Sequence, residues 1–358
     1  MRIVALTIFI FLALPLMASA QSADDRYPFV RGDKLGFIDY QGREVIPARF
    51  SNAGNMTNFD HGLAPVFEAG KGSGYIDPSG KFVIGPSQEW GQSRPFHEDI
   101  AAVLIWNQPG NHTGWIDRTG KLLFTAKSEA RDFSDGLLAM QDASGKWGFV
   151  DKTFKFVIEP KAGLMFGFSE GRAEITIKDK SGFIDTSGKI IVLPKYDMVW
   201  PFQDGLARVR RDIEDGTFMT MEGEQPKYRY QYGFIDHDGN EVIALQFEEA
   251  TYFSEGYAMA IPSNFKLFGI IDKQGHFVHE PEFEDAAEFH EGLAMACVKK
   301  KCGYVDTSGA WIIPPTLESA QEFWHGLARV AWKTGDYGYI DRTGKVVWRV
   351  TDPPKPAR

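Results

Sequence analysis

Nine aspartates occupy the same place in a recurring Gly-apolar-apolar-Asp tetrad, and this repetition makes them the first candidates for chemistry. They are Asp39, Asp77, Asp117, Asp151, Asp185, Asp236, Asp272, Asp306 and Asp341. Acidic residues beside glycine can hold calcium, but a calcium loop concentrates several oxygen ligands within about a dozen residues. Each segment here offers one Asp and usually one Ser or Thr. We therefore predict that the aspartates are structural and that their carboxylates accept backbone amides in turns.

The other reactive side chains form no recognisable active-site or metal motif. His276 and His279 stand three residues apart, so on a strand they would point to opposite faces. The sequence has no Gly-rich phosphate loop and no His-Glu-x-x-His. We expect no catalytic residue, no metal and no cofactor. The alternative left open is a polysaccharide hydrolase, because 48 acidic residues ensure some close carboxylate pairs.

The only two cysteines are Cys297 and Cys302. Four residues separate them, which suits two strands joined by a four-residue turn with the sulfurs facing each other. An oxidising compartment lets such a bond persist. Metal binding would need further ligands, and none stands beside them. The spacing therefore predicts a disulfide across a hairpin.

Residues 1–20 have the pattern of a secretory signal peptide. Arg2 is the positive start, residues 3–17 are uncharged and almost wholly apolar, and Ala18, Ser19 and Ala20 end the segment. The apolar run is shorter than the roughly 20 residues that a bilayer-spanning helix needs. We predict cleavage near Ala20, a periplasmic or secreted protein and no stable membrane insertion.

The net charge of −9 argues against nucleic acid as a partner, because binding to phosphates needs a cationic field. The hydrophobic fraction of 43% is ordinary for a globular protein. Aromatic residues make up 14% of the chain, and such residues favour strands and surfaces that stack on sugars or peptides. We expect a monomer that binds a protein, a peptide or a glycan.

The tetrads start 34 to 51 residues apart, and a Phe-x-x-Gly-Leu-Ala segment follows each of the first eight. A Gly stands three residues after the tetrad Asp in every copy except one, which has Phe154 there. Asp and Gly at this spacing predict a turn, so each tetrad strand and the apolar run after it form a hairpin. Along the Leu-Ala segment, residues such as Ala207 and Val209 alternate with residues such as Arg208, which indicates a third strand.

Beyond the signal peptide, the repeat divides the chain into three further parts. Residues 21–33 are an N-terminal lead, and residues 34–350 are the array of eight units with a terminal hairpin. Residues 351–358 are a disordered, Pro-rich tail. The fold class is therefore all-β, in tandem three-stranded repeats of about 35 residues. We predict an open, twisted β-solenoid, because the blades of the alternative, a β-propeller, usually need four strands and a longer period.

The tetrad motif resembles the WG-repeat family, also called KWG repeats. Residues 146–151 read Lys-Trp-Gly-Phe-Val-Asp and contain the eponymous tripeptide intact. In other copies the Trp position holds Leu35, Tyr232, Phe268, Cys302 or Tyr337. The resemblance covers about nine-tenths of the chain and implies a bacterial repeat protein. It brings no catalytic residues and no ligand.

One interval, between Gly182 and Gly233, is longer than the others because of an insertion near residues 211–231. Insertions in repeat arrays map to loops, often on a binding face, although a longer surface hairpin is equally compatible. Within it stands a basic and aromatic cluster of Lys227, Tyr228, Arg229 and Tyr230. We mark these four residues as a candidate binding loop, although alternation along a strand would divide them between two faces. The leading hypothesis is a non-catalytic binding or scaffold protein.

Overall fold

A computed structural model describes residues 24–51, 58–106, 112–161, 163, 167–220 and 223–350. The predicted signal peptide, residues 21–23 of the lead and the tail at 351–358 lie outside the described residues. The described residues form β-strands and no helix, so the all-β prediction is confirmed. Accordingly, this part of the chain contains no helix that could span a membrane.

The described strands form nine antiparallel units in chain order, each built around one tetrad strand. Unit 1 contains β1 (Tyr27–Arg31), β2 (Lys34–Ile38) and β3 (Glu44–Ser51); unit 2 contains β4 (Ala64–Glu68), β5 (Gly72–Ile76) and β6 (Phe82–Ser87); unit 3 contains β7 (Trp90–His97), β8 (Ile100–Ile105), β9 (His112–Asp117) and β10 (Leu122–Ala126). Unit 4 contains β11 (Ala130–Ser134), β12 (Leu137–Gln141), β13 (Trp147–Val150) and β14 (Phe156–Lys161); unit 5 contains β15 (Arg172–Ile177), β16 (Lys180–Asp185) and β17 (Ile190–Tyr196).

The C-terminal half continues the same order of strands. Unit 6 contains β18 (Met198–Gln203), β19 (Leu206–Thr220), β20 (Gly223–Ile235) and β21 (Glu241–Ala250); unit 7 contains β22 (Tyr257–Pro262), β23 (Phe268–Asp272) and β24 (Phe277–Phe283). Unit 8 contains β25 (Asp285–His290), β26 (Leu293–Val298), β27 (Lys301–Val305) and β28 (Trp311–Leu317); unit 9 contains β29 (Ser319–Trp324), β30 (Leu327–Lys333), β31 (Asp336–Asp341) and β32 (Val346–Arg349). Units 6 and 7 share one sheet, because β21 also pairs with β22.

The sequence repeat and the structural unit are out of phase. A sequence repeat starts at the tetrad, whereas a complete unit starts two strands earlier, with the strand that leads into Phe-x-x-Gly. The lead therefore supplies β1 to unit 1, and the terminal hairpin of β31 and β32 completes unit 9 with β29 and β30. Units 1, 2, 5 and 7 have the three strands predicted, whereas units 3, 4, 6, 8 and 9 have a fourth, leading strand. This strand was missed because, as in β25, most of its residues are partly exposed and a register shift interrupts its pairing.

The hydrophobic core lies between successive units. The tetrad strand is the most protected element, and in β16 the four residues 181–184 are all buried. Phe183 and Val192 of unit 5 form one cluster with Phe202 and Val209 of unit 6. Each sheet thus covers the face of the next, which explains why tetrad positions are apolar on both sides of the strand.

The turn glycine after each tetrad packs against the preceding unit. Gly275 of unit 7 has φ +81, and a Cβ added there would lie 2.8 Å from Cγ2 of Ile243 in unit 6. The same close approach pairs Gly80 with Ile46, Gly120 with Ile84, Gly188 with Ile158, Gly239 with Val192, Gly309 with His279 and Gly344 with Ile313. Glycine is therefore required twice, for its positive φ and for the space it leaves.

The exceptional Phe154 keeps this contact by another route. Its ring stacks on Phe124 of unit 3, with centroids 4.6 Å apart and an interplanar angle of 14°. Phe124 occupies the position that Ile84 has in unit 2. An aromatic pair replaces the glycine-aliphatic contact at this junction, and Phe154 carries the positive φ of 60° itself.

The first and last units are in contact through the same kinds of interaction. The turn glycine Gly42 of unit 1 packs against unit 9, where an added Cβ would lie 2.3 Å from the Val347 carbonyl oxygen. The hydroxyl of Tyr339 donates a hydrogen bond to the Pro28 carbonyl at 2.8 Å. An open solenoid leaves its two end units apart, so the solenoid prediction is not confirmed.

Gly275→Ala tests whether turn packing holds the units together, with Gly145→Ala as the matched control. Gly145 has the same φ of +81 in a turn closed by the same backbone hydrogen bonds, but an added Cβ would meet nothing within 4 Å. Both changes should cost about 1–2 kcal/mol for left-handed alanine. Gly275→Ala should cost about 1–3 kcal/mol more, because its methyl overpacks the junction. Equal losses in urea denaturation would contradict this role for the glycine.

Candidate functional site

The tetrad aspartates stand one to a unit, and each described carboxylate is engaged in its own turn. Oδ1 of Asp185 accepts hydrogen bonds from the backbone amides of Ser187 at 2.9 Å and Lys189 at 3.1 Å. The Ser187 hydroxyl donates to the same oxygen at 2.6 Å. The structure does not bring the nine aspartates together. Among the described residues, no group of three or more His, Cys, Asp or Glu side chains could hold a metal ion.

Cys297 and Cys302 form the predicted disulfide, with their Cα atoms 4.0 Å apart. They are directly paired residues of β26 and β27. The turn between the strands has two residues rather than four, because Val298 and Lys301 also pair. Lys299 and Lys300 both have positive φ, as a tight hairpin turn requires.

A chain of carboxylate contacts, which was not predicted from the sequence, links the Phe-x-x-Gly turns. The residue before the turn glycine accepts a hydrogen bond from the glycine amide of the next unit. The pairs are Glu98 with Gly136, Asp135 with Gly171, Glu170 with Gly205, Asp204 with Gly256, Glu255 with Gly292 and Glu291 with Gly326. In unit 9 His325 takes this position, and its Nδ1 lies 2.6 Å from Oδ1 of Asp25. The recurrence of acidic residues directly before the turn glycine was the sequence feature from which these contacts could have been predicted.

The insertion forms a long hairpin that extends beyond its sheet. Strands β19 and β20 contain 15 and 13 residues and remain paired to Thr220 and Gly223. Strand pairing places Tyr228, Tyr230 and Tyr232 on one face of β20, and Lys227 and Arg229 on the other. The four residues of the candidate binding loop are therefore divided between two faces, as alternation predicts.

Arginine and aromatic side chains alternate along the first face, which we call the aromatic face (Trp200, Arg208, Arg210, Tyr228, Tyr230, Tyr232 and Tyr252). The Arg210 guanidinium lies 4.4 Å from the Tyr230 ring centroid. Asp212 binds Arg210 through two hydrogen bonds of 2.7 and 3.0 Å, which fixes the plane of the guanidinium. Tyr228 and Tyr230 remain 46% and 43% exposed, so their rings are free to contact a ligand.

Toward the body of unit 6, the aromatic face becomes buried around Arg208. Its guanidinium lies 4.1 Å from the Trp200 ring and 4.9 Å from the Tyr252 ring, and it donates a hydrogen bond to the Ala250 carbonyl. Burial lowers the pKa of Arg208, while the neighbouring tyrosines and glutamates oppose that shift. Arginine stays charged under these conditions, so the cation holds the aromatic rings in place.

A pocket of 370 Å³ continues the aromatic face between units 5 and 6. Trp200, Tyr252 and Met198 supply apolar walls, and Arg172 and Glu174 supply polar ones. The Glu174 carboxylate accepts a hydrogen bond from the Ser181 hydroxyl at 2.7 Å, so its orientation is set within unit 5. Flat aromatic walls with a few fixed polar groups are typical of sites for sugars and peptides.

The opposite face of the hairpin carries Arg211, Lys227 and Arg229. Cross-strand pairing of Ile213 with Arg229 and of Arg211 with Gln231 places the two arginines diagonally opposite. All three cations are exposed, and none forms an ion pair within the described part of the chain. This small basic surface contrasts with the net charge of −9.

A family model for the WG containing repeat matches residues 36–71, 74–105, 147–180, 182–212, 232–260, 268–302 and 303–331. These seven segments cover more than half of the chain. The chain belongs to the WG containing repeat family. The resemblance predicted from the sequence is thus confirmed, while the tetrads at Gly114 and Gly338 and the tip of the long hairpin lie outside the matched segments.

Among solved structures, this WG-repeat chain is similar to "Crystal structure of the eukaryotic initiation factor", with a TM-score of 0.60, 10% identity and coverage of 91% of this chain and 95% of that one. At this identity the likeness concerns the fold alone. BamB from Moraxella catarrhalis matches with a TM-score of 0.37, 10% identity and coverage of 81% and 96%. The WD40 β-propeller domain of Doa1 matches with a TM-score of 0.28, 11% identity and coverage of 68% of this chain and 90% of that one. The last two scores are too low to support an argument. No curated protein sequence matches the chain.

Stability should fall as the turn aspartates are protonated. Hydroxyl groups of Thr119, Thr153 and Ser187 hold the pKa of Asp117, Asp151 and Asp185 below the usual value, and Asn240 does the same for Asp236. A folded pKa below the unfolded value of about 3.9 stabilises the folded chain above that pH. This stabilisation is lost as pH falls through the folded pKa.

The melting temperature should therefore decline below about pH 4. Replacing Asp117, Asp151, Asp185 and Asp236 together by Asn should make this decline shallower, because four titrating groups are removed. A single Asp142→Asn change, in the same kind of turn inside unit 4, should have a smaller effect of the same sign. Melting curves from pH 3 to 7 measure the slopes; identical slopes for all three proteins would contradict the assignment.

Proposed function

We propose that this WG-repeat protein is a non-catalytic binding or scaffold protein of the bacterial periplasm or exterior. The observation that carries the proposal is the aromatic face of the long hairpin, where half-exposed tyrosines lead to a pocket between units 5 and 6. Arg210 and Arg208 hold these rings in place before any ligand arrives. Preorganised aromatic surfaces favour binding because little side-chain freedom is lost on association.

A closed, nine-unit β-propeller is the architecture we propose for the array. Its support is that a turn glycine packs against the neighbouring unit along the chain and that Gly42 of unit 1 likewise packs against Val347 of unit 9, although there against the backbone carbonyl. Four-stranded units such as unit 8 also match the blades of that fold. A ring places the loops of all units on two rims, and the long hairpin is the largest extension from the described units.

Export is supported by the sequence of residues 1–20 and is compatible with the Cys297–Cys302 disulfide. N-terminal sequencing of protein from the periplasm or medium should give a mature chain that starts near Gln21. Recovery of the intact segment in the membrane fraction would instead indicate a retained anchor.

The ligand we favour for the aromatic face is a cell-wall glycan, since sugar rings stack on exposed tyrosines. A peptide or a folded protein partner is the other outcome that the experiment can return. The hydrolase alternative from the sequence belongs to another class and would be recognised by release of new reducing ends from the same polymer.

The double change Tyr228→Ala and Tyr230→Ala should weaken binding to the polymer by at least about tenfold, because each ring supplies stacking area. Phe265→Ala is the matched control, since Phe265 is an aromatic residue of similar exposure, 55%, outside the hairpin. Both variants should melt near the wild type, as surface substitutions usually do. Co-sedimentation with purified envelope polysaccharide measures binding, and mass spectrometry of an envelope pull-down identifies protein partners. Equal binding by the two variants would remove the aromatic face from the proposal.

A further inference from the structure

A second pocket lies where units 7, 8 and 9 meet, away from the long hairpin. Its volume is 720 Å³, and its lining includes Glu255, Tyr257, Leu293, Asp306, Ile312 and Arg342. The charged members come from three successive units: Glu255 from unit 7, Asp306 from unit 8 and Arg342 from unit 9. The pocket is therefore formed at the junction between units and not by a single surface loop.

A short side chain at one position of unit 8 leaves room at this junction. In several units the residue after the tetrad Asp is a cation that reaches back to the turn carboxylate of the preceding unit. Lys152 lies 3.1 Å from Glu98, and Lys273 lies 2.8 Å from Asp204. Unit 8 has Thr307 in this position. Its shorter side chain leaves space in the pocket, and the Glu255 carboxylate has no cation from this position beside it.

Arg342 is the corresponding cation of unit 9, and it also lacks the usual contact. Within the described residues its guanidinium makes no hydrogen bond or ion pair, and its Nε atom is shielded from solvent. A shielded donor without an acceptor is unfavourable, and a carboxylate is the acceptor that a guanidinium binds best. Arg342 thus offers the pocket an unused site for an anionic group.

The charges of the pocket select the kind of anion. Glu255 and Asp306 give the lining one more negative than positive charge, so phosphate or a polyanion would be repelled. A molecule with a carboxylate and an ammonium group can satisfy both signs. Tyr257, Leu293 and Ile312 add an apolar wall for a side chain, and the volume falls within the range of small-molecule sites.

We propose that this pocket binds a zwitterionic amino acid or short peptide with an apolar side chain. Arg342 binds the carboxylate, and Glu255 and Asp306 receive the ammonium group. The apolar side chain lies against Tyr257, Leu293 and Ile312. This site goes beyond the binding function proposed for the aromatic face and does not depend on it.

Isothermal titration calorimetry of the mature chain with leucine and leucyl-leucine tests the proposal. N-acetyl-leucine and leucinamide are the comparison ligands, because each lacks one charge. Removing either charge should weaken binding by at least about tenfold, the effect of losing one charge-assisted hydrogen bond. Equal affinity for all four ligands would overturn the assignment. So would the absence of binding heat with both leucine and leucyl-leucine at about millimolar concentration.

Two variants connect the binding to the pocket. Arg342→Gln should lose at least about tenfold in affinity. Thr307→Lys should abolish binding while leaving the melting temperature equal or higher, because it places in unit 8 the cation found in units 4 and 7. Lys273→Gln, at the same position one unit earlier and outside the pocket, is the matched control and should bind as the wild type does.

The Tyr228→Ala and Tyr230→Ala protein should also keep wild-type affinity for leucine. If it loses glycan binding but retains leucine binding, the two sites are independent, as expected. Wild-type affinity in Thr307→Lys would overturn the pocket proposal even if the aromatic face proved correct.

Discussion

The fit of one unit against the next is the constraint on which the rest of the structure depends. Each tetrad strand is apolar on both faces, so a single unit cannot cover itself and needs a neighbour on each side. The turn glycine brings the backbone of one unit into contact with an aliphatic side chain of the preceding one, as in Gly275 and Ile243. Contact between units 1 and 9 gives the two end units the neighbour that an open array would deny them.

The sequence was sufficient to predict the features set by local chemistry. The tetrads predicted buried strands followed by Asp turns, and the two cysteines predicted a disulfide between paired strands. The leading strand of units 3, 4, 6, 8 and 9 was missed because partial exposure and register shifts hide its alternation. Contact between the end units was expected only under the propeller alternative, because the angle between neighbouring units is set by packing such as that of Phe154 on Phe124, and no repeat length encodes it.

The candidate sites were only partly visible for a related reason. The loop of Lys227, Tyr228, Arg229 and Tyr230 stood out because it interrupts a regular period. Trp200 and Tyr252 lie far from it in the sequence and join the aromatic face only through strand pairing. The second pocket involves a position of unit 8 that has a threonine where units 4 and 7 have a lysine. Thr307 is unremarkable in isolation and becomes informative only when its place in unit 8 is compared with Lys152 and Lys273.

The offset between sequence repeat and structural unit has a mechanical consequence. Eight of the junctions between units are crossed by the polypeptide itself, whereas the described residues of units 9 and 1 meet through noncovalent contacts such as the hydrogen bond of Tyr339 with Pro28. That junction is a seam, and the first and last described residues belong to the two units that form it. A pulling force applied to the two ends would load the seam before it reached any covalently continuous junction, so the ends would separate first while the inner units stayed stacked.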